Sequence, residues 1–383
     1  MAKLDILYVV PDLSLGGVQR VVTLLAMGMA ARGMRVGVAT LRDSVESPLR
    51  ERLLGVGIPV DALGGVGRFD LRPRWALRSR LREHAPSVVH FHGHTYRHVA
   101  PLARRFPGSS FVFTLHEEMS WSWFRADNVL RWILLRSNSR ITTVAVSDAA
   151  RRAAARTIGL RASAVIHNAV EVPPPDALRR HRERVEARRT NSRPHVFCSV
   201  ARMVPRKGHR SLVEAARILR GDFPDFRVML VGEGRLKAEI RRHVAASDLG
   251  AHFEFAGEVS DPYGPLADAD TLVHPSETEA SSLCCMEAMQ LGLPVIATRA
   301  GGIPEVVEHG RTGLLTEVGD ASGLADAMRA MARSPGLAAD MGRSGQDEAM
   351  RRFTGHRLAD DHGRLYARIA PGFIQWPANP KPD

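Results

Sequence analysis

A chain of 383 residues, 44% apolar and 25% charged, has the balance of an ordinary globular protein and the length for two domains with their own cores. No run approaches the roughly 20 apolar residues of a membrane-spanning helix, and three cysteines, Cys198, Cys284 and Cys285, make neither a disulfide framework nor a zinc spacing and read as small buried apolar residues. The net charge of +12 lies wholly in residues 1–180, which hold 26 basic against 14 acidic side chains. That asymmetry fits either an anionic partner for the first half or arginine-rich solvated faces.

Asp5–Val10 reads as a first strand, too short and too acidic-flanked for a secretory signal, so a cytoplasmic location is expected. The loop Pro11–Gly17 ends in Gly16 and Gly17. Val18–Arg32 follows as a helix, with Val21, Val22, Leu24, Leu25 and Met29 in helical rhythm. A strand, a Gly-Gly loop and a helix let backbone approach a phosphate or a sugar closely, although many turns carry the same pair. Val36–Leu41 and Val88–His92 are further strands. His90, His92 and His94 alternate, as if sharing one face. Three imidazoles invite a metal, but no carboxylate or cysteine nearby in sequence completes a site.

Phe111–Leu115 is a strand, and His116 stands just past its carboxyl end, where an α/β sheet presents side chains to ligands. Trp121–Arg140 interleaves Trp121, Trp123, Phe124 and Trp132 with arginines. It suits a core helix with a basic outer face, an interfacial helix on an anionic membrane, or a lining for an acceptor. Ile141–Val146 and Ala164–Ile166 are strands, and Ser147 caps a helix from Ala149 to Ile158.

Residues 176–194, after the prolines at 173–175, read as a charged linker between a first domain, 1–175, and a second, 195–353. Val196–Ala201 opens the second domain. Arg202 and Lys207 bracket the next loop, where a fork-shaped guanidinium and a point-charge ammonium suit a diphosphate. Arg227–Val231, closed by Gly232, and Phe253–Ala256, followed by Gly257-Glu258-Val259, are strands. Thr271–His274 is another, and a loop leads from it to a helix Ala280–Leu291, stopped by Gly292 before the strand Leu293–Thr298. Glu279 stands at the mouth of that helix and Glu287 within it. Ser281 and Ser282 open its first turn, where free amides favour an anion. Amides for phosphate and carboxylates for hydroxyls suit a nucleotide sugar, and two solvated helix glutamates would suit the same spacing. Helices are expected at Ala321–Arg333, Leu337–Arg352 and Thr354–Ile369, with a loosely ordered tail over 371–383.

His274 to Arg299 resembles the Glu-x7-Glu motif of glycosyltransferase family 4, retaining enzymes of the GT-B fold. Glu279 and Glu287 occupy its two positions, and the run E-A-M-Q-L-G-L-P-V-I-A matches its continuation. Ala280 and Ser281 replace the usual glycine and aromatic. The Gly16-Gly17 loop, the T-x-H context of His116, the R-x4-K-G spacing of Arg202 and Lys207 and the G-G-x-x-E element at Gly301–Glu305 follow in the family's order. The resemblance spans Leu15 to about Ala370.

It implies an α/β chain of two Rossmann-like domains facing across a cleft, with the final helix, about 354–370, returning to the first. It further implies that Gly16, Gly17, Arg202, Lys207, Gly232, Val259, Glu279, Ala280, Ser281, Ser282, Leu283 and Glu287 hold the donor. His116, Arg202, Lys207 and Glu279 would act in catalysis. Gln19, His92, Trp121 and Trp123 would face the acceptor. The implied activity moves a hexosyl or N-acetylhexosaminyl unit, with retention, from a nucleoside-diphosphate sugar, UDP favoured, to a hydroxyl of a glycan, a lipid-linked acceptor or a small molecule. No cofactor and no metal are expected, since no D-x-D pair is placed to hold one. Two other classes remain: another GT-B enzyme such as a sugar-nucleotide epimerase, and a basic membrane- or nucleic-acid-binding protein. No nucleic-acid motif accompanies the charge, so nucleic acid is not expected; a peripheral contact of the basic first half with an anionic membrane stays open.

Overall fold

The computed structural model describes residues 3–43, 46–67, 70–116, 132–135, 138–190 and 193–370, with Phe373 and Trp376. Trp121, Trp123 and most of the tail lie outside the described residues.

The chain divides into two compact units. Residues up to Val170, with those from Gly355 onward, form one, and Glu171–Thr354 forms the other. The first unit is built on β1 (Ile6–Val10), β2 (Val36–Thr40), β3 (Val60–Ala62), β4 (Val88–His92), β5 (Ser110–Leu115), β6 (Ile141–Ala145) and β7 (Ala164–Val165). They pair in parallel, in the order β3-β2-β1-β4-β5-β6-β7. Residues 42–87 supply β3 and two helices, Pro48–Gly55 and Arg72–His84.

The second unit holds β8 (His195–Val200), β9 (Phe226–Val231), β10 (Phe253–Gly257), β11 (Thr271–His274), β12 (Val295–Thr298) and β13 (Gly313–Thr316). These are also parallel, in the order β10-β9-β8-β11-β12-β13. β1, β4, β11 and β12 are buried at every residue, as parallel strands covered on both faces must be. The second core is built by Phe197, Leu212, Val213, Val228, Leu230, Val273, Ile296, Met328 and Met331, drawn from strands and from helices covering them.

Both sheets are doubly wound, so strand order reverses once in each, between β1 and β4 and between β8 and β11. Ligands bind such sheets outside the carboxyl ends of the strands at that reversal. The loops following β1, β4, β8 and β11 are those that carry Gly16, His94, Lys207 and Glu279.

The final helix, Gly355–Ile369, belongs to the first unit. Arg32 pairs with Asp360 at 2.9 Å, and Arg357 donates to the backbone oxygens of His167 and Asn168, both at 2.7 Å. The charged stretch after the prolines is a helix, Pro175–Thr190, of the second unit. Arg184 and Arg193 both pair with the buried Asp270 carboxylate, which also accepts from Val196 N at 2.8 Å at the start of β8. Among the described residues no helix is long and apolar enough to cross a membrane.

Candidate functional site

In the second unit the site grows from backbone that only glycine permits. Gly208 lies at φ +68°, and a Cβ there would meet Pro275 O at 1.8 Å. Gly232 lies at φ +132°, and its Cβ would meet Ala201 O at 2.2 Å. The loops after β8, β9 and β11 thus run against one another at van der Waals range. Met203 N donates to Glu233 O at 2.8 Å, and Glu277 N donates to Arg206 O at 2.8 Å.

This packing turns Lys207, in the short 3₁₀ turn Pro205–Lys207, onto Glu279, and the two form an ion pair. The same carboxylate oxygen, Oε1, lies 2.9 Å from Nε2 of His274, the last residue of β11, and 3.4 Å from Ser276 Oγ. The other imidazole nitrogen, Nδ1, lies 3.2 Å from Cys284 Sγ. Ser276 is held in turn by Thr298, whose hydroxyl donates to its carbonyl.

The helix begins at Leu283, not at Ala280 as its periodicity suggests. Ser282 is its N-cap and accepts from Cys285 N at 3.4 Å, so Ala280 and Ser281 belong to the loop. Gly292, at φ +87°, ends it.

The charges alternate along this chain of contacts. For Glu279, burial works against ionisation, but the hydrogen bond from His274 and the charge of Lys207 outweigh it and hold the carboxyl down at about 2. For His274, burial opposes the cation, but the Cys284 sulfur and the Glu279 carboxylate raise it to about 9. At neutral pH Lys207 and His274 are cations flanking one anchored carboxylate.

Other expected donor residues stand apart from this network. Arg202 is exposed and has no ion-pair partner among the described residues. Glu287 is buried, at 2% exposure, one turn inside the helix. Gly232 N donates to Gly257 O at 2.7 Å, and Val259 is half-buried in the loop after β10.

In the first unit Gly16 is the N-cap of the helix Gly17–Ala30, whose first turn carries no acidic residue and no side-chain cap. Gln19 turns back onto its own loop, donating to Asp12 Oδ1 at 2.9 Å, and Arg42 pairs with the other Asp12 oxygen at 2.8 Å. Gln19 therefore braces the loop. His92 is 1% exposed and does not line a surface. Its Nδ1 lies 2.9 Å from His116 Nε2, and its ring lies 4.2 Å from that of His90, tilted by 36°. His94 leaves the strand in the turn Gly93–Thr95, so the three alternating histidines do not share a face. His90 reaches Thr114 Oγ1 at 2.7 Å and Tyr366 Oη, on the final helix, at 2.6 Å. Burial lowers both His90 and His92 well below the usual imidazole range and brings His116 down to about 3.

Sequence reasoning missed two members of the network. His274 reads only as a strand end, and Cys284 as a buried apolar residue. Cys198 and Cys285 are buried, but Cys284 is half-buried and hydrogen-bonded. The available signal was position: His274 ends a strand at the sheet's reversal, and Cys284 is the second residue of the helix facing it.

Two family models match: "Glycosyltransferase Family 4" over residues 15–172 and "Glycosyl transferases group 1" over residues 181–348. A GDP-mannose-dependent alpha-(1-6)-phosphatidylinositol monomannoside mannosyltransferase of Mycolicibacterium smegmatis is 34% identical over 296 residues, 71% of this chain and 75% of that protein. The chain belongs to the group 1 glycosyltransferases of family 4. This glycosyltransferase is also 29% identical over 374 residues to a phosphatidyl-myo-inositol mannosyltransferase of Mycobacterium leprae, across 93% of this chain and 94% of that one. Its fold matches the crystal structure of Anabaena Alr3699/HepE in complex with UDP, with a TM-score of 0.79 at 21% identity over 95% of this chain and all of that one. Sucrose-phosphate synthase from Thermosynechococcus elongatus gives a TM-score of 0.79 at 20% identity, covering 95% of this chain and 99% of that one. The two sheets of the glycosyltransferase are those of a GT-B enzyme.

Proposed function

We propose that this glycosyltransferase moves a hexosyl unit from a nucleoside-diphosphate sugar to a hydroxyl of an anionic acceptor, with retention of anomeric configuration. The observation that carries the donor reading is the Lys207–Glu279–His274 cluster at the carboxyl ends of β8 and β11. In this reading Lys207, with Arg202 and the amides after Ala280, takes up the charge that develops on the departing diphosphate. Glu279 accepts from sugar hydroxyls and Glu287 from the ribose. Glu279 is engaged on both flanks and strongly acidic, which makes it a poor nucleophile toward the anomeric carbon. The reaction then runs by front-face attack through an oxocarbenium-like transition state, with the leaving phosphate accepting the acceptor's proton. An inverted product would exclude this course. No metal and no cofactor take part in the proposed reaction.

The family resemblance favours UDP. The name of the Mycolicibacterium relative makes GDP-mannose the first donor to test. The acceptor reading rests on charge, since the whole net +12 lies within residues 1–180. A phosphorylated inositol or an anionic lipid headgroup carries both the needed charge and the needed hydroxyls.

Thermal unfolding with GDP, UDP, ADP and dTDP, and then with the matching sugars, tests the donor. A nucleotide at a hundred times its dissociation constant adds about 2.7 kcal/mol. Stabilisation by one base, followed by transfer from its hexose derivative to an inositol phosphate, supports the reading. No stabilisation by any nucleotide removes it. Turnover of the sugar nucleotide with no acceptor would instead favour an epimerase.

A further inference from the structure

Of the three cysteines, Cys198 and Cys285 are fully buried, and burial pushes both thiols up, out of reach of ordinary reagents. Cys284 differs in every respect that matters to reactivity. It is half-buried rather than enclosed. It is the second residue of a nine-residue helix, where free amides and the helix dipole favour an anion. Its sulfur lies 3.2 Å from His274 Nδ1 and 3.3 Å from Ser282 Oγ. His274 is itself oriented by Glu279, 2.9 Å from its other nitrogen, and Glu279 is anchored by Lys207. A nucleophile, an imidazolium touching it and a carboxylate orienting that imidazolium is the arrangement that activates a thiol. None of the three is explained by packing alone, since two residues of this set are charged and largely withdrawn from water.

We propose that Cys284 is a covalent modification site, a nucleophilic thiol that exchanges with low-molecular-weight disulfides and is capped reversibly. The hydrogen bond with Cys285 and the His274 cation both favour the Cys284 thiolate. The thiolate attacks one sulfur of the disulfide, a new S–S bond forms, the old one breaks, and the departing thiolate leaves to solvent, where it is protonated or stays ionised according to its own basicity. The product is a mixed disulfide at Cys284; an added thiol reverses it. Nothing is oxidised beyond what the disulfide supplies.

Capping removes one of the two anions that His274 faces, the other being Glu279, and adds bulk at the start of the helix that follows the Glu279 loop. Nucleotide binding is then lost, a consequence that rests on the donor reading above; the reactivity of the thiol does not.

The test uses the full chain and an aromatic disulfide that releases a coloured thiolate, with the labelled peptide identified by mass spectrometry. One thiol per native chain should react, mapping to Cys284, at least about tenfold faster than the same residue in the unfolded chain. Cys284→Ser should abolish the fast phase. His274→Gln should slow it by about tenfold or more, with Cys284 still present. Saturating GDP or UDP should protect. Labelling that maps to another cysteine, or a Cys284 rate no faster than in the unfolded chain, overturns the proposal, and peptide mapping of the native chain needs no variant to fold. Fast labelling of Cys284 with undiminished nucleotide binding keeps the modification site and overturns the donor reading.

Discussion

Nδ1 of His92 lies 2.9 Å from Nε2 of His116, so one ring donates and the other accepts. The half-buried His116 is therefore held by a column of buried groups. His92 packs against His90, and His90 bonds to Thr114 and to Tyr366 of the final helix. The last helix of the chain thereby helps to orient a side chain at the end of β5.

That column makes the first unit acid-sensitive. His90 and His92 sit well below their ordinary value through burial, His116 at about 3 and His362 at about 4 for the same reason. Unfolded histidines titrate near 6.5. Between those values the unfolded chain binds protons that the folded one does not, so stability from these groups is complete above pH 6.5 and falls as pH drops below it. Each histidine contributes a loss of about 1.4 kcal/mol per pH unit. His274 has the opposite sign: its contribution is complete below 6.5 and lost as pH rises through about 9. Calorimetry from pH 8 to pH 4.5 should show a transition that moves steeply down below pH 6.5. A midpoint unchanged from pH 7 to pH 5 would show that the column is protonated at little cost.

Removing the Lys207 ammonium should separate chemistry from folding. Lys207→Ala leaves Glu279 hydrogen-bonded to His274, so the loop retains a partner for its carboxylate. Its kcat/KM should fall about 10²- to 10³-fold, the usual loss for one group that stabilises developing charge, with a melting temperature close to wild type. Initial rates with a sugar nucleotide decide it. An unchanged rate would take Lys207 out of the donor site.

Two glycines with similar dihedrals should respond very differently to alanine. A Cβ on Gly208 (φ +68°) would lie 1.8 Å from Pro275 O, whereas one on Gly57 (φ +78°) would meet nothing within 4 Å. Gly57→Ala should cost about 1 kcal/mol, the ordinary left-handed penalty. Gly208→Ala adds a clash with backbone and should cost ~3 kcal/mol or more, with loss of nucleotide binding. Urea titrations of the two variants compare them directly. Equal destabilisation would mean that the β8 and β11 loops do not meet as described.

Asp270 should be among the most sensitive acidic residues of the second unit. Its carboxylate is buried yet held well below the usual range, since the Arg193 hydrogen bonds, the neighbouring His195, Val196 N and Arg184 together outweigh burial. Asp270→Ala leaves two arginines facing each other without their shared anion and should destabilise by about 3–5 kcal/mol. Limited proteolysis should then cut within 175–194, where the wild type resists. Continued resistance would mean that this helix is held without Asp270.

The family and the fold class were legible in the sequence, because β-branched runs, glycine turns and the Glu-x7-Glu spacing are local and survive reading one residue at a time. Lys207 and Glu279 could be named that way, each from its own motif. Their meeting could not be read, nor could His274, Cys284 or the His92–His116 contact. Lys207 and Glu279 are 72 positions apart, and His90 and Tyr366 are 276 apart. Those partnerships exist because parallel strand order brings β8 beside β11 and because the last helix returns to the first unit. The amino-acid sequence by itself determined which chemistry was available. The tertiary structure decided which residues face each other, and burial together with those neighbours then decided their charge: a buried imidazole is neutral against another imidazole and a cation between a carboxylate and a cysteine sulfur.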